Sequence, residues 1–110
     1  MKPPSVVLNN SGAEVQFDGI RQWSLDWSNV REIAIEVSVV ADVGYCEAFW
    51  KITGPSVDFV APVEFVVGAD EFNARLFEFP GFDRATHERA RRAEANAEPG
   101  LFVCWRASAG

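Results

Sequence analysis

Asp83 and His87 stand i, i+4 in the stretch "FPGFDRATHERARRA". On a helix that spacing brings a carboxylate and an imidazole to one face. Such a pair can share a metal ion or act on one substrate proton. His87 is the only histidine of the chain. A metal site needs a third ligand, and the sequence has neither an HExxH motif nor a second histidine. Asp83 also suits a simpler task, capping the helix that follows it. The arginines Arg84, Arg89, Arg91 and Arg92 surround the histidine and offer forked donors for phosphate or carboxylate. On a helical wheel Arg84 and Arg91 share a face, while Ala90, Ala93 and Ala97 form a narrow small-residue stripe. The alanine stripe is expected to pack on a sheet, with Arg84 and Arg91 on a basic outer face and His87 an exposed helix residue.

A second set of candidates is acidic. Glu32, Glu36, Glu47, Asp58 and Glu64 fall opposite the strongest apolar faces of their segments. If those segments are neighbouring strands, their outer side is an acidic surface that can steer a basic partner. Tyr45 and Phe49 share a face with Glu47 and are aromatic interface candidates. From Glu32 to Glu71 there are eight acidic residues against Lys51 alone, a net of −7, whereas Arg84 to Gly110 holds five arginines and three glutamates, a net of +2. The whole chain carries −6. Nucleic acid and anionic membrane both call for clustered Lys/Arg, so this balance argues against either as a partner.

Nucleophile and cofactor motifs are missing: there is no GxSxG, Walker loop or GxGxxG. No catalytic residue, metal or cofactor is assigned. Cys46 and Cys104 form no CxxC and have no basic neighbour to lower a thiol pKa, so they read as small core residues.

These residues need elements to position them. "AEVQFD" alternates with Val15 and Phe17 on one side, and Asp18-Gly19 then signals a hairpin. "IRQWSLDW" places Trp23, Leu25 and Trp27 on a common, inward face. "REIAIEVSVV" alternates most cleanly, with Ile33, Ile35, Val37 and Val39 against Glu32, Glu36 and Ser38; "ADVG" is then a turn. "YCEAFWKITG" has apolar residues on both faces and reads as a central strand. Pro62 makes the next strand an edge, or shortens it. After Gly68 the period changes: Phe72, Leu76 and Phe79 recur at helical spacing, with Asp70 and Glu71 at the positive end of the dipole. Pro80-Gly81 stops that helix, a second runs from Arg84, and "LFVCWR" is a last strand.

The segments "LDWSNVREIAIEV", "FWKITG", "FEFPGFD" and "FVCWR", spread over residues 25–106, resemble a group of small bacterial proteins. Their recurring features are a W-x-x-[VIL]-x-x-[VI] turn into a strand, an F-W pair, a P-G-F-D step before a helix and a closing C-W. The chain departs from them before the F-W pair, where it has "ADVGYCEA" instead of an acidic loop. The resemblance is structural in kind and implies no activity, cofactor or site residue.

The expectation is therefore one α+β domain over residues 1–110, with residues 1–4 loose. A mostly antiparallel meander of about six strands precedes two helices and a C-terminal strand. With no signal-like or spanning apolar run, the chain is expected to be cytoplasmic, as a monomer or weak homodimer. Its expected role is that of a non-catalytic binding module, resembling an inhibitor or immunity protein with an acidic face for a basic partner. Glu32, Glu36, Tyr45, Glu47, Phe49 and Asp58 are the contact candidates; Asp83, His87, Arg84 and Arg91 are secondary. The competing expectation is a small-molecule pocket between the sheet and the Phe72/Leu76/Phe79 helix.

Overall fold

Two-residue alternation becomes strand and helical spacing becomes helix in the order those patterns occur. The computed structural model describes residues 4–18, 20–40, 45–64 and 66–107, with backbone alone at Val40 and Tyr45. The expected turn at 41–44, Gly19 of the hairpin and most of the N-terminal 1–4 segment lie outside the described residues. The elements are β1 (Ser5–Leu8), β2 (Gly12–Phe17), β3 (Ile20–Asp26), a single 3-10 turn (Trp27–Asn29), β4 (Glu32–Val40), β5 (Tyr45–Gly54), β6 (Val57–Pro62), α1 (Ala69–Phe77), α2 (Arg84–Ala95) and β7 (Gly100–Arg106). This is the α+β architecture of antiparallel strands, two helices and a closing strand.

The strands divide into two antiparallel sheets, ordered β1-β2-β3 and β6-β5-β4-β7. β7, last in sequence, pairs with β4, because the two helices carry the chain back across the sheet. In the larger sheet the register sets Ile33 opposite Ile52, Ile35 opposite Trp50 and Val37 opposite Ala48, and Trp50 and Ile52 face Ala61 and Phe59 in turn. One apolar row thus crosses β4, β5 and β6. A one-residue slip would exchange it for Glu36 and Lys51, so burial holds the register. β5 is a central strand, and β6 is an edge strand that ends at Pro62, as the proline requires.

The smaller sheet joins the same core through Val6, Ala13, Val15 and Leu25. Its β1 is tied to the segment before α1 by the Val6 N–H to the Val67 carbonyl at 2.8 Å. Gly68 opens α1 with φ 86°, and a Cβ there would lie 2.1 Å from the Val6 carbonyl oxygen. Only glycine satisfies both the left-handed backbone and that close approach. Trp23, expected inward, is 38% exposed; Phe17, beside it edge-to-face, is 40% exposed, and Ile20 is 66% exposed. The β2–β3 hairpin extends past the core there, and no other element supplies a covering surface among the described residues. Trp27 does turn inward, but from the 3-10 turn, stacking on Phe72 at 6.1 Å.

Both helices lie on the apolar face of the larger sheet. Phe72 and Leu76 of α1 are fully buried, and Phe59 meets Phe72 at 5.6 Å. Phe59 and Phe72 meet in the seam between the sheet and α1, the place expected to hold a small-molecule pocket. Asp83 caps α2, accepting from the Thr86 N–H at 3.0 Å and the Thr86 hydroxyl at 2.8 Å. Ala90 and Ala93 are buried and allow α2 to approach the sheet closely, as their spacing predicts. Cys46 and Cys104 are buried free thiols. No helix among the described residues is long and apolar enough to cross a membrane.

Candidate functional site

Asp83 and His87 are committed to separate contacts. The Asp83 carboxylate is occupied at the helix start, and its two Thr86 hydrogen bonds hold its pKa below the ordinary carboxylate value. His87 is not the exposed residue its sequence position implied. Its ring stacks on Trp50 at 5.8 Å and meets the edge of Phe77 at 4.9 Å. Burial, then the charges of Arg91 and Arg84, push its pKa below the usual histidine value, and Nε2 is buried with no hydrogen-bond partner. Among the described residues, no group of three His, Cys, Asp or Glu side chains is arranged to hold a metal. Burial also pushes the Cys104 thiol up to about 12, which keeps it protonated at neutral pH.

Arg91 departs from the expected basic outer face for a related reason, whereas Arg84, Arg89 and Arg92 remain exposed. Residues 84, 87, 91 and 94 follow the i, i+3, i+7 stripe of α2, and this stripe borders the sheet. Arg84 lies 3.9 Å above the Phe77 ring. Arg91, half-buried, reaches Glu64 at the end of β6 and, at 3.3 Å, Glu94 of its own helix. Helical periodicity places Ala90 and Arg91 almost equally well inside; the acid supplied by Glu64 decides it.

The outer face of the larger sheet gathers several of the predicted acids but neutralises some of them. Glu32, Glu36 and Asp58 lie on it with Lys51 and Arg106. Glu36 is 3.7 Å from Lys51, and Glu32 takes a 2.8 Å bond from Arg106. Glu47 and Asp58 have no ion-pair partner among the described residues. Glu64 is not on this face: it follows β6 and turns to Arg91. Phe49 is half-buried, and the side chain of Tyr45 lies outside the described residues.

Three acids converge elsewhere, at the first residues of β5. A surface pocket of about 400 Å³ opens there, lined by Cys46, Glu47, Ala48, Phe49, Pro62, Glu64, Val66 and Glu94. Its floor is apolar and its rim holds three carboxylates, faced among the described residues by Arg91 alone, a formal balance of −2. Sequence reading chose Glu47 and Phe49 of this set but missed Glu94, because nothing in its helical spacing points to strand β5.

The pocket exists because β6 is shorter than β5. Pairing runs from Gly54–Val57 to Phe49–Pro62 and stops, with one more bond from the Val63 N–H to the Ala48 carbonyl at 3.1 Å. In an antiparallel ladder alternate residues turn both peptide groups toward the same neighbour. The Ala48 bond therefore places the Cys46 N–H and C=O on the same edge, where no described residue pairs with them. Asn73, also missed, ties α1 to this region: it accepts from Trp50 Nε1 at 2.7 Å and donates to the Val63 carbonyl at 2.9 Å. Asn73 thereby holds the chain just beyond Pro62 and fixes where β6 ends.

No protein-family model, curated protein or solved structure matches the chain.

Proposed function

We propose that the chain is a non-catalytic protein-binding module for a basic partner, in the manner of an inhibitor or immunity protein. The observation that carries this reading is the convergence of Glu47, Glu64 and Glu94 on one apolar pocket with a single facing guanidinium. An apolar floor with a charged rim suits a long basic side chain, whose methylenes bury while its head meets carboxylates. The chain's overall −6 extends the attraction beyond the pocket and favours fast encounter with a positive surface. The residue types suited to chemistry have structural duties: Asp83 caps α2, His87 packs on Trp50, and the Cys104 thiol is buried.

Charge reversal tests the reading. Immobilised protein carrying Glu36→Lys and Glu47→Lys is compared with wild type for capture of basic proteins at low and high salt. Loss of capture in the variant, with the fold intact by circular dichroism, and weakening of wild-type capture by salt are expected. Unchanged capture by the folded variant would contradict the reading.

A small cationic molecule is the second reading, favoured by the pocket's size, which lies within the usual range for ligand sites. It predicts that small apolar amines raise the melting temperature and that Glu94→Gln abolishes the rise.

A further inference from the structure

We infer that the open edge of β5 at Cys46, just past the Ala48–Val63 bond that ends the pairing with the β6 segment, is a strand-addition site for an extended, basic segment of the partner protein. This deepens the proposed function and rests on it. Two independent features meet at the place where β6 stops. One is backbone: the Cys46 N–H and C=O lie on an edge that β6 leaves after Pro62, with no described residue paired to them. Unpaired groups of this kind are a template for an added strand, and main-chain hydrogen bonds then supply affinity. The other is charge: Glu47, Glu64 and Glu94 rim the same opening.

The two features together select the occupant. A second copy of this chain would bring a net −6 to an acidic rim, so self-pairing is opposed by like charge. An added strand would turn successive side chains to opposite faces of the sheet. On one face lies Glu47. On the other lie Cys46, Ala48 and Trp50, over which α2 packs, and with α2 come Glu94 and the Glu64–Arg91 pair. Two adjacent basic residues in the added strand would therefore each meet a carboxylate, one on either face. The preferred partner segment is extended, has β-branched flanks and carries a Lys-Arg or Arg-Lys step. A helix presenting the same charges cannot use the backbone edge.

The probe is a capped Thr-Val-Lys-Arg-Val-Thr peptide titrated into the ¹⁵N-labelled full chain. Two control peptides accompany it: one with Gln-Gln at the centre, one N-methylated at the central residues. The expected result is chemical-shift change centred on the Cys46 and Ala48 amides. Glu47→Gln with Glu94→Gln is expected to weaken binding about tenfold, as two surface ion pairs would. The Gln-Gln peptide should bind comparably weakly. The N-methylated peptide keeps every charge and leaves the protein unaltered, so its loss of binding isolates the backbone contribution. Equal binding by the N-methylated peptide would overturn strand addition. Shift changes confined to Glu36 and Asp58, or to the Phe17–Trp23 hairpin, would overturn the location while leaving a basic partner in place. No binding of any basic peptide, together with no salt-sensitive capture of basic proteins, would overturn the proposed function as well.

Discussion

Strand β5 has two halves with opposite surroundings. From Phe49 to Gly54 it is flanked by β4 and β6, and Trp50 and Ile52 are fully buried, Trp50 against Asn73 and His87 of the helices. At Cys46 and Glu47, beyond the Ala48–Val63 bond, it keeps β4 on one side and opens to an acid-rimmed pocket on the other. The same backbone conformation serves both. The difference comes from one proline that ends β6 and from Asn73, which holds the chain beyond it. A strand can thus be a structural member along one stretch and an attachment edge along the next, with no change of secondary structure to mark the boundary.

Removing the closed half should have the largest effect. Trp50→Ala deletes a fully buried ring that meets Phe82 and His87. It is expected to cost about 3–5 kcal/mol in urea-induced unfolding. Asn73→Ala leaves the Trp50 Nε1–H without its acceptor and is expected to cost about 1–3 kcal/mol. It should also loosen the chain just beyond β6, read as faster hydrogen exchange at Val63. Asp83→Ala removes both bonds to Thr86, and a smaller drop in melting temperature is expected, recovered in part by Asp83→Asn.

A pH series probes the closed half without altering its shape. His87 has its pKa depressed in the fold, first by burial and then by Arg91 and Arg84. A group depressed in this way favours the folded state while neutral. Its contribution is complete above the unfolded-state value of about 6.5 and is lost as pH falls through the lower folded-state value. Stability should therefore drop on acidification below the ordinary histidine range, and His87→Gln should flatten that limb of the profile. Glu88, which opposes the shift, and Glu64 and Glu94, which bind Arg91, belong to the same charge network. Glu88→Gln is accordingly expected to move the midpoint further down.

The open half should answer in the opposite manner. Glu47→Gln is expected to change unfolding free energy by less than about 0.5 kcal/mol, since it removes an exposed surface charge. Its effect should fall on the binding of basic ligands. A stability loss at Glu47 comparable to that of Asn73→Ala would show that the two halves do not differ in kind.

The sequence conveyed this architecture where the governing interactions are local. The Ile33, Ile35, Val37 alternation placed β4, Pro62 marked β6 as an edge, and Asp83 announced the start of α2. Each depends on residues within a few positions of one another. What stayed hidden depends on distant partners. His87 and Arg91 face inward because Trp50, Phe77 and Glu64 receive them. Trp23 stays half out because no element among the described residues covers that hairpin, although its period matches that of the buried Leu25. The partition of seven strands into two sheets is a matter of pairing, which alternation alone does not encode. The site combines both kinds of information: Glu47 and Phe49 were visible from strand phase, while Glu94 joined them only through the packing of α2.

Residue-resolved hydrogen exchange tests the contrast most directly, in the free protein and with the Lys-Arg peptide bound. In the free chain the Ile52 amide should exchange slowly and the Cys46 amide quickly, and the peptide should slow Cys46 while leaving Ile52 unchanged. Slow exchange at Cys46 in the free protein, or no added protection with the peptide present, would contradict the account.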